Sequence, residues 1–176
     1  MPTILTHPVV PVALALGLGR TVIPPRLMVA GAAAAIVPDL DVFIPHLGIA
    51  YSYDYGHRGF SHSLLFAALA ALLAASAFRP LQTTYLRAAA FLFVAMASHG
   101  VLDAFTNGGS GIAFLWPWSG ERFFAPVQPI EVSPISLGRF FSERGLRVLA
   151  SELVWVWLPC AVLVAAARNM GRLRQS

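Results

Sequence analysis

The stretch Ala88–Phe105, AAAFLFVAMASHGVLDAF, decides the reading of this chain. It runs for 18 residues without a Lys or Arg. At helical rise that length covers roughly 27 Å, close to the hydrocarbon thickness of a bilayer. Yet it contains His99 and Asp103, four residues apart and therefore on one helical face. Ionisable groups at membrane depth are costly, and they mark a functional site by default.

Two further runs have the same character, Ser61–Phe78 and Leu149–Ala167, of 18 and 19 residues. The first 37 residues read as two short helices, because Ile4–Gly19 is interrupted by Pro8 and Pro11 and Leu27–Val37 is bounded by Pro25 and Pro38. The expected fold is all-α: one integral membrane domain over residues 1–176, a bundle of about five helices with the first two short. Composition agrees, since 57% of the 176 residues are hydrophobic and 11% charged, where a soluble domain carries about 25% charged residues. Mean hydropathy is +0.70. One cysteine, Cys160, excludes a disulfide framework and a thiolate cluster. The net charge of +4 comes from twelve scattered arginines with no basic run, which speaks for topology signals and against a nucleic-acid partner. The N-terminus has no basic segment ahead of its apolar stretch and reads as a mature segment, not a cleaved signal.

Charge orients the bundle. Arg20, Arg26, Arg79, Arg87, Arg168, Arg172 and Arg174 fall in connections without acids. All eight acids, Asp54 included, fall on the other side with five arginines. The excess of Arg puts the first set in the cytoplasm, with the N-terminus and the loops 38–60 and 106–148 outward and the C-terminus inside. In the second loop, Trp116-Pro117-Trp118 and Phe123-Phe124 suit interfacial anchors or loop packing. Ile135–Arg147 suits an amphipathic surface helix.

The polar residues of the apolar runs converge in depth. His7 lies 13 residues before Arg20, Asp39 lies 13 after Arg26, and His99 lies 12 after Arg87. Helical rise puts all three roughly 18–20 Å above the inner boundary, and His62, 17 before Arg79, at about 26 Å. His57 and His62 bracket Arg58-Gly59-Phe60-Ser61, while Asp39 and Asp41 flank Leu40 just after Pro38. Imidazole with carboxylate suits Zn²⁺, Mn²⁺ or Fe²⁺. His7, Asp39, His57, His62, His99 and Asp103 are therefore the candidate ligands of a metal site near the outer face. A proton relay uses the same residues, and Asp39 and Asp41 also suit helix caps. His46, beside Pro45, reads as solvated.

Three elements resemble the YdjM-like family of membrane-bound metal-dependent hydrolases: Pro38-Asp39-Leu40-Asp41, His57-Arg58-Gly59-Phe60-Ser61-His62-Ser63, and His99-Gly100-Val101-Leu102-Asp103 with Thr106 and Gly108. An early histidine, here His7, belongs to the same pattern, and the likeness covers roughly Thr6–Pro117. It implies a helical membrane protein with a hydrolytic metal centre. A more distant likeness to zinc-dependent phospholipase C enzymes implies His99 and Asp103 as central ligands, joined by His62 and one of Asp39 and Asp41, with His7 on a second ion. That pattern also has a later His-x-x-x-Glu pair, which this chain lacks.

The expected activity is hydrolysis of a phosphoester, on a lipid or lipid-linked substrate, by water activated on one or two divalent ions, zinc before manganese. Asp41 or Asp39 would accept the water proton and Arg58 would contact a phosphate oxygen. Ser61, Ser63 and Asn107 would orient the imidazoles. A transporter and a membrane protein with a structural metal are the other two classes.

Overall fold

The computed structural model describes residues 1–48, 56–134 and 137–173. Asp54, Ile135 and Arg174 lie outside the described residues, as do the side chains of His46, Arg139 and Arg172. The chain is all-helical. Among the described residues there is no strand, only the isolated bridges Thr106–Ile130 and Ile112–Phe123.

Helix α1 spans Val9–Leu18, and α2 spans Pro25–Ala34 with Pro25 in its first turn, where a missing N–H costs nothing. A 3-10 segment, Val37–Leu47, carries Asp39 and Asp41, and a second, Phe60–His62, leads into α3, Leu64–Ala75. Ser63 caps α3 by accepting from the Phe66 amide, and Thr84 caps α4, Tyr85–Ala104, by accepting from the Arg87 amide. A four-residue helix α5, Leu137–Phe140, precedes α6, Glu143–Glu152. A π-helical turn, Leu153–Trp157, joins α6 to α7, Leu158–Leu173.

Among the described residues, two helices are long and apolar enough to cross a membrane: α4, and the uninterrupted Glu143–Gly171. The expected span Ser61–Phe78 is shorter than its apolar run, because α3 ends at Ala75 and the chain turns back through residues 76–82. The expected surface helix Ile135–Arg147 is also replaced. Its second half begins the long final helix at Glu143 rather than lying apart from it.

Small residues set the packing. Ala67, Ala71 and Ala75 form an i, i+4, i+8 stripe on α3 that is buried in one cluster with Ala88, Leu92, Ala95 and Met96 of α4. Stripes of this kind let backbones approach closely where lipid supplies no hydrophobic drive. α2 packs on the same central helix. A Cβ at Gly31 would sit 2.3 Å from Cε1 of the buried Phe91 ring.

The arginine-bearing turns meet at one end. Arg26 Nη1 donates to Pro80 O at 3.2 Å, and Arg87 Nη1 donates to Thr21 O at 3.3 Å. The opposite end is closed by residues 106–134, whose bridges fold over the 3-10 segments. Ala113 N donates to Arg58 O at 3.2 Å, and Leu64 N donates to Phe114 O at 3.1 Å. Of the aromatic anchors, Trp118 is exposed, whereas Trp116 packs on Phe60 with ring centroids 5.8 Å apart and Phe123 lies beside Phe114.

Replacing Gly31 by Ala forces the Phe91 ring off its position. We expect a loss of about 1–3 kcal/mol, read as a lower Tm of the detergent-solubilised protein. An unchanged Tm would show that α2 and α4 are not held in this register.

Candidate metal centre

Five polar side chains from three elements and the N-terminal turn meet at the closed end: His7, Asp39, His62, His99 and Asp103, all buried. Sequence spacing brings them to a common level, and the caps and turns just described aim them inward.

Hydrogen bonds to Nδ1 decide the state of two imidazoles. His99 Nδ1 lies 2.7 Å from Ala35 O, a pure acceptor, so Nδ1 carries the proton and Nε2 a lone pair. His62 Nδ1 lies 3.1 Å from Asp41 Oδ2, which fixes the same tautomer. The two Nε2 atoms then face each other at 3.0 Å. Asp39 Oδ1 lies 3.3 Å from His99 Nε2 and 4.0 Å from His62 Nε2. Asp103 Oδ2 lies 3.4 Å from His62 Nε2 and 3.9 Å from His99 Nε2. With both imidazoles neutral, four acceptors point at one small volume, and both oxygens of Asp39 and of Asp103 lack a hydrogen-bond partner. Ligands about 2.0–2.1 Å from a tetrahedral ion stand roughly 3.3 Å apart, within the 3.0–4.0 Å found here. The residues present therefore fit a divalent ion. His62 and His99 each have the Nδ1–H anchored to an oxygen, as metal-ligating histidines usually do.

A second face of the same carboxylates looks the other way. His7 Nε2 lies 3.7 Å from Asp39 Oδ2 and 3.7 Å from Asp103 Oδ1. Neither ring nitrogen of His7 has a hydrogen-bond partner, and its ring stacks on that of His99 at 3.6 Å and 15°.

The remaining expected residues occupy supporting positions. Asp41 accepts from the Arg58 amide at 3.0 Å and from Ser61 Oγ at 2.5 Å, as well as from His57 and His62. Burial raises its carboxyl, but the hydrogen bonds from His57 and His62 outweigh this and hold it below the usual carboxylate range. His57 meets Asp41 through Nδ1 and is absent from the four-residue cluster. With Asp41 and His62 it forms a second group that could hold an ion. Arg58 is 1% exposed. Its Nε lies 3.3 Å from Asp103 Oδ2, Nη1 donates to Gly108 O at 2.8 Å, and Nη2 donates to Thr106 Oγ1 at 3.1 Å. Gly109, at φ +96°, leaves the space this guanidinium fills, since a Cβ there would lie 2.3 Å from Nη1. The fork expected to grip phosphate is thus engaged within the protein. Ser61 alone of the three expected orienting residues touches an imidazole, at 3.0 Å from His62 Nδ1. Ser63 caps α3, and Asn107 Oδ1 accepts from Val132 N at 2.9 Å.

An all-helical membrane protein with a buried His/Asp cluster able to hold a metal ion is the class this fold and site define. The chain belongs to the YdjM inner membrane protein family, whose match covers residues 1–173. It is 48% identical over 165 residues to the inner membrane protein YbcI of Escherichia coli (strain K12), across 93% of this chain and 95% of that protein. No solved structure gives a significant match.

Elemental mass spectrometry of the purified protein tests the cluster. Wild type carries divalent metal, and both His99→Ala and Asp103→Asn lose it. Unchanged metal content in both variants would rule the cluster out.

Proposed function

We propose that this chain is a membrane-bound metal-dependent hydrolase that cleaves a phosphoester of a lipid or lipid-linked substrate. The observation that carries the reading is the convergence of the His62 and His99 Nε2 atoms with the unpartnered carboxylate oxygens of Asp39 and Asp103, with His7 on the far side of the same carboxylates. His62, His99, Asp39 and Asp103 would hold one divalent ion, and His7 with the same two carboxylates would hold a second. A divalent ion bound by these residues, zinc or manganese by donor chemistry, would supply a water of lowered pKa, about 7, and positive charge for the phosphoryl oxygens.

The protein's own residues have distinct tasks. Asp39 and Asp103 share their oxygens between the two positions. Asp41 orients His62 and His57 rather than taking a proton, because its oxygens are already occupied by hydrogen bonds. Of the two acids considered as proton acceptor, Asp39 could take that role only with one of its oxygens left off the ions. Arg58 steadies Asp103 and ties the loop at Thr106 and Gly108 to it. A cleft of about 380 Å³ lies beside the centre, with His57 in its wall and Pro2, Ile4, Leu5, Val42 and Phe140 among its apolar lining. Such a wall suits a substrate with an apolar body. The arginine balance supports a reading in which this end of the bundle faces outward and the C-terminus lies in the cytoplasm.

A structural ion is the second reading, favoured by the burial of all four residues of the first position. Turnover separates the two. The metal-loaded protein in mixed micelles hydrolyses lipid phosphoesters; His99→Ala is inactive, and Asp41→Asn is slowed about 10- to 100-fold, as for other partners of metal ligands. A metal-replete wild type inert across phosphodiesters and monoesters alike would leave the structural ion standing. Full activity in His99→Ala would sink both.

A further inference from the structure

One buried acid has no part in the proposed chemistry. Glu152, the last residue of α6, is 1% exposed. Its carboxylate accepts from the Thr3 amide, from Thr3 Oγ1 at 2.7 Å and from Thr6 Oγ1 at 2.6 Å. Five residues on, the Trp157 indole Nε1–H donates to the same Thr6 oxygen at 2.8 Å. The donors are therefore ordered in one direction, from Trp157 through Thr6 to Glu152.

A regular α-helix would not allow this. At about 100° per residue, side chains five apart stand about 140° around the axis from each other. The π-helical turn Leu153–Trp157, closed by wider i→i+5 hydrogen bonds, advances less per residue and brings both side chains towards one face. π-turns within α-helices frequently mark functional sites.

What Thr6 carries next is His7. No hydrogen bond holds the His7 ring, so its place is set by stacking on His99 and by its backbone. That backbone is a closed turn, with Thr6 N donating to Thr3 O at 2.9 Å and Val9 N donating to Thr6 O at 3.0 Å. Both threonines of the turn are the ones Glu152 holds. We infer that Glu152 and Trp157 form a clasp through which the last helix positions His7 over Asp39 and Asp103, making Glu152 a positioning residue for the second cation. The inference rests on the two-position reading given above.

The test is zinc stoichiometry and affinity, by elemental analysis and chelator competition, for wild type, His7→Ala, Glu152→Ala, Glu152→Gln and Thr6→Val, repeated with manganese. Wild type binds two equivalents. His7→Ala binds one, and Glu152→Ala binds the weaker equivalent about 10- to 100-fold less tightly while keeping the tighter one. Glu152→Gln, which retains one acceptor oxygen, falls between. Should Glu152→Ala not fold, Glu152→Gln and Thr6→Val carry the comparison, with the same selective weakening expected. Two equivalents of unchanged affinity in every folded clasp variant would overturn the clasp alone. Equal loss of both equivalents would overturn it too, making Glu152 a general scaffold residue. A wild type that binds a single equivalent would overturn the two-position reading, and the clasp with it.

Discussion

Three carboxylates, Asp39, Asp41 and Asp103, are buried together, and Arg58 is the side-chain cation that reaches Asp103. This is the constraint on which the rest of the structure depends. Carboxylates taken out of water need cations or donors. Asp41 has four donors around it. Asp39 and Asp103 have the opposite surroundings, with imidazole lone pairs turned towards them by the anchoring of His62 and His99 through Nδ1. An arrangement that aims acceptors at acceptors is stable when positive charge enters from outside, and divalent ions meet that need. A proton relay meets it less well: one proton satisfies one pair of acceptors and leaves the other oxygens bare.

Around that demand the chain is organised in layers. Arg58 reaches the centre because Gly109 vacates the space and because residues 106–109 offer it a carbonyl and a hydroxyl. The loop is in turn pinned by Asn107 and the Ile112–Phe123 bridge. Ser61 and Asp41 hold His62 from the second 3-10 segment, and Ala35, past the end of α2, holds His99 of α4. The centre is thus a junction of connections, while the Ala-rich contact of α3 with α4 supplies the fixed distance between them. Polar contacts that carry no lipid-facing cost sit at the loop end, and the arginine turns fasten the other.

What could be read from the chain alone followed from one conversion, residues into depth. Counting from Arg20, Arg26 and Arg87 brought His7, Asp39 and His99 to one level because the helices between are nearly regular. The interval from His62 to Arg79 is less regular, since α3 gives way to turns after Ala75. Which face a loop residue presents follows no such period. Asp41 and Arg58 were legible as members of the site but not as supports, since their partners, Ser61 and Gly108, are fixed by 3-10 and glycine-bearing turns. Glu152 was read as one more acid of the outer set. Its partners Thr3 and Thr6 are about as far away in sequence as the chain permits, and only the closed bundle brings them near.

That distance has a consequence for how the fold and the site support each other. His7 enters the centre from the first turn of the chain, and the residue that holds that turn belongs to the last helix. A metal ion held by His7, Asp39 and Asp103, as proposed, would link the beginning, middle and end of the chain. Ligands drawn from segments so far apart are not preformed in an unfolded chain, so the free energy of binding adds to that of folding. In a bilayer, where apolar burial contributes little to helix association, α7 packs beside α1 with a largely exposed surface. The hydrogen bonds of Glu152 and Trp157 to Thr3 and Thr6 supply specificity that apolar contact between those two helices does not.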